Sequence, residues 1–185
     1  MFNDTIDRAI LDGRFEETEL GLFVPTARAM IAGQFRYNKR GEPEEVATNQ
    51  LVTEGLNYLL SVGLKAGTPS TTWFIAPFSG DVTVQATWTA ANFTANATEA
   101  TAYESATRPA WTGGSVASGT VNSFAAKAEI KATGALTVRG AAMVSASAKS
   151  ATTGALLAAA RLSADKVLAL DEILDIGYGI TVTAV

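Results

Sequence analysis

Three groups of side chains in this 185-residue chain have types and spacings that bear on chemistry. Asp171, Glu172 and Asp175 lie close together near the C-terminal end, and paired carboxylates can serve acid–base or cation chemistry. Glu16, Glu17 and Glu19 form a second acidic group. Serines and threonines are abundant, and Lys127, Lys131 and Lys149 are the lysines that a Ser–Lys dyad would draw on. Each group has an ordinary reading. Asp171 and Glu172 sit in turn sequence, and Asp175 points opposite to Leu174 and Ile176 in an alternating run, which predicts a solvated carboxylate. The glutamate triplet lacks the spacing and central glycine of a calcium loop and reads as a solvated or partner-facing patch.

Elimination goes further. The chain contains no histidine and no cysteine. The usual general base near neutral pH, disulfides, thiolate nucleophiles and thiolate-bound zinc are therefore excluded. No serine sits in a G-x-S-x-G elbow, and no phosphate-binding loop is present. Gly177 and Gly179 make a G-x-G, but inside a strand-like run, where they mark a position that a side chain would not fit. Trp73 lies in an apolar run and reads as core. Trp88 and Trp111 are the rings that a glycan-binding surface would use, and Trp111 equally suits a subunit anchor. The expectation is a protein that is not an enzyme and holds no cofactor and no metal.

Composition narrows the partners. Charged residues are 17% of the chain, the formal net charge is −4 and the pI is near 4.9. Such a chain lacks the basic surface that releases counterions from nucleic acid. No run approaches the length of apolar sequence that crosses a membrane as a helix. Sequons occur at Asn3, Asn92 and Asn96, but the first residues carry three aspartates and no basic apolar run. Synthesis in a cytoplasm is the expectation.

The elements that would position these residues are mostly strands. Of 32 charged residues, 15 fall within residues 1–50, and the rest of the chain is rich in Ala, Thr, Ser and Gly. Residues 1–30 read as an extended arm; Phe15, Leu20, Leu22, Phe23 and Val24 are its contact residues, with Gly21 and Pro25 breaking any helix. Residues 31–185 read as a β domain. It opens with a hairpin, Ile31–Tyr37 returning as Glu44–Leu51 through Asn38–Pro43. Residues 53–64 form a helix capped by Thr53, with Val52, Leu56, Leu59, Leu60 and Leu64 as a buried stripe. A buried strand covers Thr72–Ala76, while residues 86–107 fit either a short helix or a long loop. From there the period is two. Phe124–Lys131, Leu136–Ser145 and Leu174–Thr183 alternate, and the Ala-rich run 155–160 is read as strand because turns bracket it. The pattern predicts a mainly β fold: an antiparallel β-sandwich or jelly roll with one short helix.

Residues 49–64 (NQLVTEGLNYLLSVGL), Thr72-Trp73-Phe74-Ile75 and Ser105–Trp111 (SATRPAW) resemble motifs of a family of small structural proteins of tailed bacteriophages. The likeness runs in order over residues 31–185. Phe74 stands where that family has Tyr, Ala76-Pro77 where it has Gly-Leu, and the arm before residue 30 falls outside it. The resemblance implies a virion protein made in a bacterial cytoplasm. It further implies a capsid decoration or cement role on the capsid exterior, with the major capsid protein and copies of itself as partners. A tail or baseplate component and a glycan-binding tail protein are the alternatives. No chemistry is needed for such a role, only a rigid scaffold and adhesive surface.

Overall fold

A computed structural model describes residues 15–17, 19, 21, 23–25 and 29–184. The chain divides into two units, residues 1–31 with 182–185, and residues 32–181. In the first, β1 (Phe15–Glu17) and β2 (Phe23–Pro25) pair antiparallel, Phe15 opposite Pro25 and Glu17 opposite Phe23. Gly21 lies between them at φ 71°, a left-handed conformation open to glycine. Within the residues expected to form an extended arm, Phe15–Glu17 and Phe23–Pro25 are thus a strand pair.

The second unit is built on two antiparallel sheets. One has the order β5 (Gln50–Leu51), β11 (Leu156–Leu168), β10 (Leu136–Val144), β6 (Trp73–Phe78), β7 (Ala110–Trp111). The other runs β4 (Glu45–Thr48), β3 (Ala29–Lys39), β12 (Ile173–Ala184), with β8 (Thr120–Asn122) and β9 (Ala128–Lys131) both paired to β12. The fold is mainly β and β-sandwich-like, as the alternation predicts. The hairpin is β3–β4, with Phe35 opposite Ala47. Residues 155–160 are strand despite their alanines. Phe124–Lys127, in contrast, form a turn, so that run contributes only β9.

Two apolar layers result. Between the sheets lie Phe35, Tyr37, Ile130, Leu174, Ile176 and Tyr178 from one side and Ile75, Val138, Met143, Leu157, Leu162 and Leu168 from the other. The opposite face of the β10–β11 sheet is covered by Trp88 and by helix α2 (Ala90–Ala97), through Phe93 and Ala97 on Phe78, Ala142, Val144 and Leu156. Small side chains at Ala141, Ala142, Ala158 and Ala159 let both layers approach one sheet, which is why β10 is buried on both faces from Gly140 on. A bulge breaks the simple alternation. Val138 pairs with Lys166 but Gly140 with Arg161, so β11 carries extra residues. Leu136 and Val138 therefore share the inter-sheet face with Ala141 and Met143, not with Ala142 and Val144. The Tyr37 hydroxyl accepts from the bulge amides of Ser163 and Ala164 (3.0 and 3.3 Å) and donates to Glu45 (3.0 Å).

Two helices, not one, occur among the described residues. α2 opens with a reciprocal cap: the Thr89 hydroxyl accepts from Asn92 N (3.3 Å), and Asn92 Oδ1 accepts from Thr89 N (2.8 Å). Helix α1 (Thr53–Leu64) has the expected bounds, but Val52 is its N-cap and no side chain caps it. Thr53 lies one position inside the helix and does not perform the role its type suggested. Thr89→Ala should lower stability by about 1 kcal/mol, and Thr53→Ala should change it by less than about 0.5 kcal/mol. Thermal midpoints of the two variants check the contrast.

Candidate functional site

The expected buried stripe of α1 is the largest departure. Val52 is buried and Leu59 is half-buried, but Leu56, Leu60 and Leu64 are 36%, 57% and 79% exposed. The reason is Gly55. It seats the helix directly on the backbone of Leu157, leaving no room there for a Cβ. The face toward the sheet therefore runs through Gly55 and Leu59, with Tyr58 edge-on to Trp73. The leucines at i, i+4 and i+8 point the other way. From Gly55 to Leu64 the helix carries no charge. A charge-free row of leucines on a rigid element is the surface of this unit most suited to another apolar surface.

Charged side chains are spent on the unit's own structure. Arg108 (1% exposed) grips Glu99 with two bonds, Nε to Oε1 at 2.8 Å and Nη2 to Oε2 at 2.6 Å. Arg108 Nη1 donates to Ala146 O (2.9 Å), Nη2 to Ala151 O (3.3 Å), and Ser150 N donates to Glu99 Oε2 (2.9 Å). The pair ties the segment after α2 to the β10–β11 connection. Beside it Lys149 donates to the carbonyls of Thr101 and Tyr103 and stands 3.6 Å from the Tyr103 ring centroid. Burial holds this ammonium below the usual lysine range.

Asp171, Glu172 and Asp175 are each paired with a basic side chain. Asp175, only 16% exposed at its side chain, accepts from Arg40 at 2.8 and 3.2 Å, and is thus paired, not simply solvated. Asp171 meets Lys131 (3.1 Å) and Glu172 meets Lys39 (2.7 Å). Among the described residues no three acidic side chains converge as a metal centre would require. Lys127 bonds Glu44 and Asn38, and Lys131 bonds Glu104 and Asp171. None of these contacts is to a serine, so the Ser–Lys arrangement finds no geometric support.

Of the six partner-binding residues inferred from sequence, Phe15, Phe23 and Val24 fall in β1 and β2, while Leu20 and Leu22 lie outside the described residues. Trp111 turns inward: its indole N–H donates to Tyr178 O (3.0 Å), and its ring packs against the inter-sheet core. Trp88, 5% exposed, is enclosed with Phe78 and Phe93. Neither tryptophan offers the open ring that a glycan platform would need. The segment Ser105–Trp111, singled out for its motif, supplies both Arg108 and Trp111 to the interior. No helix among the described residues is long and apolar enough to cross a membrane. Comparison with family models, curated proteins and solved structures found no match.

Breaking the buried pair by Arg108→Met should cost about 3–5 kcal/mol, because Glu99 would be left charged in the interior. Glu99→Leu with Arg108→Met should recover part of that loss, as urea unfolding would read. A second outcome concerns acid. The Lys166 ammonium, then the Tyr37 hydroxyl, hold Glu45 below the usual carboxylate range, and Arg139 with Arg161 do the same to Asp165. A carboxyl lowered in the folded state adds stability above its ordinary pKa and loses it as pH falls through the folded value. Thermal midpoints should therefore drop between about pH 5 and pH 3, with a shallower drop in Glu45→Gln.

Proposed function

We propose that the chain is a structural protein of a bacteriophage particle. Its role is that of a capsid decoration, or cement, protein acting on the capsid exterior through contacts with the major capsid protein and with copies of itself. The observation that carries the reading is the exposed, uncharged row of Leu56, Leu60 and Leu64. It lies within residues 49–64, one of the segments that resemble phage structural proteins. Cementing needs a scaffold that holds its shape while apolar surface is withdrawn from water at a neighbour. At about 25 cal/mol per Å² of apolar area, modest contacts suffice when many copies act together. The two-layered core and the buried Glu99–Arg108 pair supply the rigidity. The arm residues Phe15, Leu20, Leu22, Phe23 and Val24 provide a second proposed contact, and residues 1–30 are its bounds.

The test is co-sedimentation of purified protein with expanded, tail-less heads of the encoding phage. Leu60→Gln with Leu64→Gln should weaken binding about tenfold or more while the thermal midpoint stays near that of the parent. Deleting residues 1–30 should weaken binding independently. Unchanged saturation of heads by both variants contradicts the reading, and binding to tails but not heads favours the tail or baseplate alternative.

A further inference from the structure

The outward face of the β4–β3–β12–β8 sheet holds a groove of about 520 Å³. We propose that this groove binds a carboxylate-bearing saccharide, an oligosaccharide containing a uronic or sialic acid. The proposal is independent of the capsid reading.

Glycines on β12 let an aromatic wall of the groove lie close against the sheet. A Cβ at Gly179 would lie 2.6 Å from Phe124 Cζ, and one at Gly177 would lie 3.1 Å from Phe124 Cδ1. The Phe124 ring, carried in by the turn after β8, therefore lies on β12 itself. The Arg36 guanidinium sits over the same ring, 4.2 Å from its centroid. Gln34 lies on the same face of β3; with its amide turned so that the oxygen faces Arg36, that oxygen accepts from Arg36 Nε and Nη2, both at 3.2 Å. Asn122 Oδ1 accepts from Phe124 N (3.1 Å), and the hydroxyls of Thr120 and Thr181 are 2.9 Å apart.

These bonds set the chemistry of what remains. Once their oxygens are engaged, Gln34 and Asn122 each have an NH₂ group as their remaining polar function, and guanidinium offers donors alone. The described residues lining the groove include no carboxylate. The nearby Glu44 is shared: Lys127 holds it at 2.5 Å, whereas Arg36 Nη1 stands 3.6 Å away. Arg36 is the one charged side chain among the described lining residues, so the groove wall carries a cation although the chain as a whole is at −4. Planar amides and a guanidinium already held in place, with threonine hydroxyls beside them, match a ligand rich in acceptors and carrying an anion. Saccharide hydroxyls on a pyranose ring with one carboxylate meet that description. An acidic peptide would meet the same donors and charge, so poly-glutamate serves as the competing probe.

The experiment probes the full chain against an array of oligosaccharides containing galacturonate, glucuronate or sialic acid, beside neutral dextran oligomers and a poly-glutamate peptide. Hits are measured by calorimetry. At least one acidic oligosaccharide should bind, dextran should not, and Arg36→Gln should weaken binding about tenfold. Asn122→Asp, which keeps an acceptor for Phe124 N but removes the NH₂ group, should also weaken it, and parental thermal midpoints would show that both variants are folded. The proposal is overturned if no acidic saccharide binds, if poly-glutamate binds as tightly, or if both folded variants bind like the parent.

Discussion

The bond between Glu99 and Arg108 is the interaction on which the shape of the domain depends. Both side chains lie out of water, and each charge is compensated twice over, by its partner and by backbone groups of residues 146–151. Without the carboxylate, Arg108 would need other acceptors in an interior that has few. Without the guanidinium, the segment that follows α2 would lose its attachment to the β10–β11 connection. Because that segment leads on to β7 and Trp111, the same pair sets where the indole meets Tyr178 and so where one sheet joins the other.

The remaining charges follow the same economy. Lys166 with Glu42 and Glu45, Arg161 with Asp81, and Arg40 with Asp175 and Glu129 each join segments distant in sequence. Exposed pairs of this kind contribute little singly, so their value lies in fixing strand position more than in stability. Where the described charges pair with one another in this way, apolar and neutral polar groups govern much of the surface that remains. Leu56, Leu60 and Leu64 are the clearest of these, and adhesion to a neighbouring subunit is the role proposed for them.

Much of the fold was legible in period and turn chemistry. The β3–β4 hairpin, β6, β11, β12 and the bounds of α1 follow from alternation, bracketing turns and a helix-spaced run. Errors arose where backbone approach overrode side-chain pattern. Gly55 turned the leucine stripe of α1 outward, since a helix can come nearest to a sheet through the residue with no side chain. The β11 bulge reversed faces along β10, which no period-two reading can anticipate. For residues 86–107 the sequence leaves a short helix and a long loop open, because the cap of α2 uses Asn92 where Glu or Gln is usual. The Glu99–Arg108 pair could have been suspected from two opposite charges in a stretch otherwise poor in them. Its burial could not, because it depends on the distant β10–β11 connection. The close contact over Gly177 and Gly179 is half legible: the glycines mark it, while the ring that makes it, Phe124, falls in a run whose alternation reads as strand.

The central claim is adhesion to a virus shell, and an electron cryomicroscopy map of the encoding phage tests it most directly. The account predicts density for the two-sheet domain on the outside of the head, with the exposed face of α1 against a neighbouring subunit. A finished particle that lacks the protein altogether, or holds it with that helix face turned to solvent, would contradict it.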